Sequence, residues 1–344
     1  MSSVAKPKFE TRRVGKTALH VTTLGLGGAT LGGNMVAVSE EQARATISRA
    51  IEAGITSFDT APFYGMGRSE HFYGNALREH RDHIVLSTKV GRLLKPFRGQ
   101  RPEGFGWVDA LPFDQVYDYS YDGIMRSFED SLQRLGLDRI DILYVHDIGP
   151  MTHGEAANRP LWEQLKTGGY RALRALRDSG TVSAIGLGVN EWEVLMDAFQ
   201  LGDWDVFLLA GRYTLLEQTS LDPFLTTCLA RGSSVVVGGP FNGGALMGSG
   251  TWNYARAPQA VIDRVRTLEA VCAEFGVPVG AAALQFPLAH RAVCNVLPGP
   301  KAPAELDGIL DWWQTAIPDA FWDALAERRL VAPGTPLPNG KIAG

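Results

Sequence analysis

Eight short apolar runs, each followed by a stretch of helical periodicity, constrain this chain more than any other feature. The runs lie at 24–28, 55–60, 84–90, 140–146, 183–189, 206–210, 234–238 and 292–297. Between and after them, apolar residues recur at helical spacing over 39–53, 69–79, 119–135, 168–179, 191–200, 221–230, 258–275, 279–289, 303–312 and 319–328. Strands alternating with helices through 344 residues predict a parallel sheet closed into a (β/α)8 TIM barrel. A doubly wound sheet would leave too many β-α units and no clear second half. Ahead of the first run, residues 9–22, broken by Val14-Gly15-Lys16-Thr17, predict a β-hairpin. No linker, repeat or low-complexity tract interrupts the pattern. Residues 1–344 therefore read as one barrel domain, with 1–8 and 333–344 as flexible ends.

In a parallel barrel the active site is built at the carboxyl ends of the strands. Asp59 closes the second run, Tyr64 lies on the loop after it, Lys89 ends the third run and His146 ends the fourth. Singly, Asp59 would be a turn carboxylate and Tyr64 an interface aromatic. Lys89 among aliphatic residues is costly unless paired. A tyrosine is a poor acid or base near neutrality unless its pKa, ordinarily about 10, is lowered. Three successive strands bring all four groups to one edge, which makes them the candidate catalytic set. Three long segments also follow strands: 91–118, 147–168 and 239–258. They carry Arg92, Trp107, His153, Trp162, Asn242, Trp252 and Tyr254, and long loops with aromatics are uncommon unless functional. They read as a substrate cover, with Arg92, Trp107, His153 and Trp252 as candidate substrate contacts.

Asp59-Thr60-Ala61-x-x-Tyr64-Gly65, Ser69-Glu70…Gly74-x-Ala76-Leu77, Lys89 and His146 together resemble the aldo-keto reductases, over about residues 9–327. Gly91-Arg92-Leu93-Leu94-Lys95-Pro96 and Gly238-Gly239-Pro240-Phe241-Asn242 resemble the bacterial aldose 1-dehydrogenases (L-fucose or D-threo-aldose type) and pyridoxal 4-dehydrogenases. The resemblance implies a hairpin plug under the barrel and an NAD(P)-dependent oxidoreductase. In it, Asp59 holds Lys89 protonated and Lys89 lowers the Tyr64 pKa. Tyr64 then exchanges a proton with a substrate oxygen while hydride moves to or from nicotinamide, and His146 orients that oxygen. Oxidation of an aldose at C1 to a lactone is the favoured reading. Pyridoxal oxidation to 4-pyridoxolactone and general aldehyde reduction are the alternatives. A redox-sensing partner protein like a potassium-channel β-subunit is the non-enzyme rival; the lack of a long amino-terminal extension or basic docking segment speaks against it.

The resemblance also implies a cofactor site, with departures. Asn190 matches an amide-binding asparagine, but Val189 stands where serine is usual, Ala210 near a usual glutamine and Gly238 where a tyrosine stacks. Phe241 or Tyr213 would supply the stacking surface instead. Gly238, Gly239, Pro240, Phe241 and Asn242 are assigned to the cofactor, as are Gly299, Lys301 and Glu305. Glu305 falls where NADP-using relatives carry an arginine. A carboxylate there repels a 2′-phosphate and accepts a bond from a free ribose hydroxyl, as in other dinucleotide sites. Lys301 opposes it, and NAD is expected over NADP.

A net charge of −4 gives no reason to expect nucleic acid or an anionic membrane as partner. No apolar run approaches the roughly 18 residues of a membrane span. The first twenty residues lack the apolar core of a signal peptide. Cys228, Cys272 and Cys294 are scattered and read as reduced, which fits a cytoplasm; the small-molecule substrate, sugar or aldehyde, is what the resemblance implies. The glycine-rich stretch Leu24–Gly33 breaks the dinucleotide fingerprint with Thr30 and reads as a first βα loop open to a ligand. His80-x-x-His83 lacks a third ligand, so no metal is expected.

Overall fold

The computed structural model describes residues 9–101, 105–253 and 255–344. Residues 1–8, read as a flexible lead-in, and Tyr254 lie outside the described residues.

The apolar runs form β1 (Leu26–Gly27), β2 (Ser57–Asp59), β3 (Val85–Val90), β4 (Ile142–His146), β5 (Ala184–Val189), β6 (Val206–Ala210), β7 (Ser234–Gly238) and β8 (Val293–Leu297). Each strand pairs with its neighbours in chain order, and the pairing is parallel throughout. The ends close on each other: Leu24 bridges Val296, and the N–H groups of Gly25 and Gly27 donate to Val296 and Pro298 carbonyls at 2.9 Å. The (β/α)8 barrel is thus present. Gly28, just past β1, is pressed against the second βα unit. A Cβ there would lie 2.6 Å from Ser69 Oγ and 2.8 Å from the Asp59 carbonyl.

The strands are buried nearly end to end because both faces are covered. Their inner face packs Val85, Ile142, Tyr144, Val206, Leu208 and Val236 into one cluster, which Val14 and Val21 of the hairpin join from below. The hairpin pairs Thr11–Arg13 with His20–Thr22 and is bolted to the barrel. Gly15 N–H donates to Ser234 Oγ at 2.7 Å, and Asn295 Nδ2 donates to the Thr22 carbonyl at 2.7 Å. Two of the expected helices, Glu40–Ala53 and Tyr121–Leu135, are capped at both ends. Ser39 and Ser120 accept from Gln42 and Gly123 N–H groups, while Gly54 and Gly136 take the left-handed cap conformation.

Three segments differ from the sequence reading. Residues 147–168 are not an open loop: helices span Pro150–His153 and Glu155–Gln164, and the latter runs through a wide turn at Leu165–Gly169 into Tyr170–Asp178. Pro160 and Gly168-Gly169 look like breakers, yet the glycines let this helix press on the chain before the preceding one. A Cβ on Gly169 would meet the Tyr119 carbonyl at 2.3 Å. Residues 91–118 contain an antiparallel ribbon, Arg92–Pro96 with Phe113–Tyr117. The tail 333–344 is irregular but held. Leu337 and Ala343 are buried, Gly334 N–H donates to the Ala343 carbonyl at 2.8 Å, and Lys341 pairs with Asp323 at 2.8 Å.

Gly74 has a packing reason to be glycine. Helix Arg68–Leu77 passes so close to helix Tyr121–Leu135 that a Cβ at 74 would sit 1.9 Å from the Leu135 carbonyl. Gly74→Ala is therefore expected to cost about 1–3 kcal/mol, the usual range for overpacking. Denaturant unfolding checks this; an unchanged midpoint would mean the two helices separate freely.

Candidate active site

Strand register brings the four predicted groups together. Asp59 lies opposite Ser87 across β2 and β3, and Lys89 lies opposite Tyr144 across β3 and β4. Lys89 Nζ donates to Asp59 Oδ2 at 2.6 Å and to the Thr60 carbonyl at 3.0 Å. Ser87 Oγ donates to Asp59 Oδ1 at 2.7 Å. Both charges are almost fully buried. The Tyr64 ring lies over Lys89, whose Nζ is 4.5 Å from its centroid. His146 meets the same ring edge-on at 5.8 Å, and Trp107 leans on it at 5.7 Å.

The other motif residues hold this set in place. Thr60 Oγ1 donates to Ser69 Oγ at 2.8 Å, and Ser69 Oγ donates to the Gly28 carbonyl at 2.9 Å. Buried Glu70 accepts from Thr88 Oγ1 at 2.7 Å and pairs with Arg134, which fixes β3 beside Lys89. Tyr119 Oη donates to the His146 carbonyl at 2.7 Å and pins the end of β4.

The electrostatics correct one expectation. The Tyr64 phenol is held well above its ordinary pKa, not below it. Burial is the main cause; the Asp59 and Asp147 carboxylates add to it, and Arg92 partly offsets it. Lys89 spends its ammonium on Asp59 and the Thr60 carbonyl and meets the face of the Tyr64 ring. The phenol is therefore a resident acid. His146 is pushed well below the usual imidazole range by burial, with Arg92 and Lys89 adding to it. It is a neutral hydrogen-bonding group at physiological pH. Burial also raises the Asp59 carboxyl, while Lys89 and Ser87 pull it back.

Beside Tyr64 and Asp59 opens a cleft of about 450 Å³. Asn190, Gly238, Gly239, Pro240, Phe241, Asn242 and Gly299 line it, so all but two of the residues assigned to a cofactor share one wall system. Thr30 and its glycine-rich loop line it too, in place of a dinucleotide fingerprint. The walls fit a long, flat ligand: Gly239 leaves open space where a Cβ would project, and Ala210 and Gly238 keep the floor low. Phe241 is steadied edge-on by Trp312 at 6.0 Å. Tyr213, the other stacking candidate, is buried against Phe286 and His290 and does not line the cleft. Asn242 bridges loops, accepting from Thr214 at 2.6 Å and donating to the Gly211 carbonyl at 3.0 Å. Lys301 and Glu305 pair with each other at 3.0 Å, partly exposed, and do not line the cleft.

The cover residues divide. Trp107 packs on Phe63 and Tyr64, and Arg92 is buried next to them with its guanidinium 4.1 Å over Phe63. His153 stands further out, against Tyr117 at 4.4 Å and Tyr119 Oη at 3.2 Å. Trp252 packs against the core from a short ribbon, Thr251–Trp252 with Ala255–Arg256. Three residues escaped sequence reasoning. Asp147 follows His146 and faces both it and Arg92; a second acid at a strand end was the available signal. Arg212, buried after β6, donates to the Asn190 carbonyl at 2.9 Å and to Asn253 Oδ1 at 2.9 Å. Met35, exposed at the cleft mouth, carried no signal. Among the described residues no group of three or more His, Cys, Asp or Glu is placed to hold a metal ion, and no single helix is long and apolar enough to cross a membrane.

Comparison with known proteins agrees with this geometry. The Aldo/keto reductase family profile matches residues 23–329. Pyridoxal 4-dehydrogenase of Microbacterium luteolum is 45% identical over 94% of this chain and 98% of its own length. D-threo-aldose 1-dehydrogenase of a Pseudomonas species is 37% identical over 91% and 95%. The solved holo form of an aldo-keto reductase from Bacillus halodurans superposes with a TM-score of 0.70 at 24% identity, covering 94% of this chain and 96% of that one.

Two outcomes follow from Tyr64. Tyr64→Phe removes the proton donor and should lower turnover about 10²–10⁴-fold, the usual worth of acid–base catalysis, while dinucleotide binding persists. Near wild-type kcat in that variant would sink the assignment. Because the phenol is held above its ordinary value, its base form grows with pH and its acid form persists. Oxidation should then climb from neutrality to about pH 10 without a plateau, and reduction should stay flat over the same range. An oxidation rate already level at neutral pH would show that phenolate is the resting form.

Proposed function

From the premise that this chain belongs to the aldo/keto reductase family, we propose that it oxidises a cyclic hemiacetal to a lactone with a nicotinamide dinucleotide. One observation carries the reading: Asp59 and Tyr64 line the same cleft as Asn190 and the glycine-walled loop after β7, so proton and hydride leave the substrate at one place. Pyridoxal and aldoses, named in the two relatives, share one reactive group, a carbonyl closed on an internal hydroxyl. When bound, the dinucleotide supplies a two-electron hydride acceptor. Asn190 and the loop from Gly238 to Asn242 would hold it, with Phe241 as the apolar face.

The chain's own groups supply the rest. The phenolate form of Tyr64, the minority near neutrality, accepts the hemiacetal hydroxyl proton. Lys89, fixed by Asp59, presents positive charge to the ring and steadies its negative charge until the proton arrives. Neutral His146 positions the substrate oxygen. Trp107 and Phe63 shield the reacting atoms from water. Substrate loses one proton and one hydride, and the carbonyl of a lactone forms.

Pyridoxal stands first as substrate. The surfaces around Tyr64 are flat and aromatic, and the Arg92 Nη groups are taken by Gln115 and Asp147 and not free for sugar hydroxyls. The aldose reading stands second, supported by the 37% relative. NAD is our choice over NADP, because Glu305 folds back on Lys301 and offsets the lysine that the sequence offered to a 2′-phosphate.

Two measurements check this. Dinucleotide reduction is screened against pyridoxal, L-fucose, D-arabinose, L-galactose and simple aldehydes; the highest kcat/KM is expected for pyridoxal. Faster reduction of simple aldehydes than oxidation of any hemiacetal would replace the reading with an aldehyde reductase, and no turnover at all would favour a redox-sensing partner protein. Glu305→Arg should raise kcat/KM for NADP+ relative to NAD+; an unmoved ratio would remove Glu305 as the discriminator.

A further inference from the structure

Asp147 is a non-glycine residue with φ +45°, in the sparsely used left-handed region. Its N–H donates to the Gly188 carbonyl at 2.9 Å, which anchors the turn on β5. The turn brings its carboxylate against three groups of the site. Oδ2 faces Arg92 Nη2 and lies 3.4 Å from His146 Nε2, and Oδ1 lies 3.5 Å from Asn190 Nδ2. Arg92 is fixed in turn: Nη1 donates to Gln115 Oε1 at 2.7 Å, and the guanidinium stacks over Phe63 and Tyr117. A second ion pair, beside Asp59–Lys89, is thus sunk in the same site. Buried pairs are weak stabilisers, because desolvation of both charges offsets their attraction. A pair that stability does not explain, touching His146 and Asn190 together, points to a role in the reaction.

We infer that Asp147 and Arg92 are a positioning pair that ties His146, on the proton side of the site, to Asn190, on the cofactor side, and keeps the charge around Tyr64 balanced. The charged groups facing Tyr64 are Asp59 and Lys89 on one side and Asp147 and Arg92 on the other. Each acid answers one base. His146, Tyr73 and Tyr119 face the same space uncharged, and Glu191 and His153 lie behind Asp147. Removing one member of the second pair leaves an excess of known sign. Without Asp147 the phenolate of Tyr64 forms more easily; without Arg92 it forms less easily. The inference rests on the reading of Tyr64 as the proton-transfer group.

The test compares wild type with Asp147→Asn, Arg92→Gln and the double variant. The rising limb of the oxidation pH profile should move to lower pH in Asp147→Asn and to higher pH in Arg92→Gln. In the double variant the limb should return near its wild-type position. Its kcat should stay about 10–100-fold low, the loss typical of groups that orient a reacting side chain in metal sites, because the anchor of His146 and Asn190 is gone. Shifts in the same direction, no shift, or recovery of wild-type kcat in the double variant would overturn the inference. A second readout needs no substrate: tyrosinate difference absorbance, each protein read against its Tyr64→Phe counterpart. If wild type turns over no hemiacetal, the proposed function fails by itself. The tyrosinate titration then decides the pair, opposite shifts supporting it and parallel or absent shifts overturning it. If one single variant does not fold, the other is set against the charge-neutral double variant. A displaced limb in the single and a restored one in the double supports the inference, and equal limbs overturn it.

Discussion

A lysine ammonium inside a barrel of aliphatic side chains depends on one contact, the 2.6 Å pair between Lys89 and Asp59. Burying either ion alone costs several kcal/mol, and breaking such a pair from one side typically costs about 3–5 kcal/mol. The barrel meets that cost with hydrogen bonds to the remaining valences. Thr60 offers its carbonyl to Lys89, Ser87 its hydroxyl to Asp59, and Glu70 holds Thr88 and hence the strand that carries Lys89. The motif residues around the tetrad are in this sense its mounting. Their hydroxyls and carboxylate satisfy polar groups that the core would otherwise leave bare.

The site has two halves built from different parts of the barrel. The half that holds Asp59, Tyr64, Lys89 and His146 comes from β2, β3 and β4, with the ribbon after β3 folding Arg92 and Trp107 over it. The half proposed for the dinucleotide comes from the loops after β1, β5, β6, β7 and β8, which supply glycine, Asn190 and Phe241 around the cleft. Closure of the sheet between β8 and β1 brings the loop after β1 beside the loop after β8, although their residues are far apart in the chain. Arg212 laces the cleft wall, linking the Asn190 backbone to Asn253 of the loop after β7.

Legibility in the sequence followed the physics of each signal. Asp59, Tyr64, Lys89 and His146 were readable because a parallel strand ends at its functional edge, so position along a run already states place in space. The helix through residues 155–178 was not, because Pro160 and Gly168-Gly169 mimic a break that only the neighbouring backbone explains. The direction of the Tyr64 shift was not readable either. Spacing gives which charges are near, and it gives neither the depth of burial nor the ring face that Lys89 meets. Lys301 and Glu305 were each given a ligand, but four residues apart on a helix start they took each other.

By itself the sequence determined the alternation of strands and helices, the hairpin beneath them and the chemical identity of the group at each strand end. These are local properties, set by side-chain periodicity and by which residue stands last in a run. Only the tertiary structure decided what those groups are to one another. It paired Asp147 with Arg92 at the neighbouring ends of β3 and β4, kept the Tyr64 phenol in its acid form and removed Tyr213 from the cleft while leaving Phe241 in it. Burial and charge pairing depend on distances between residues remote in sequence, and those distances exist only once the barrel has closed.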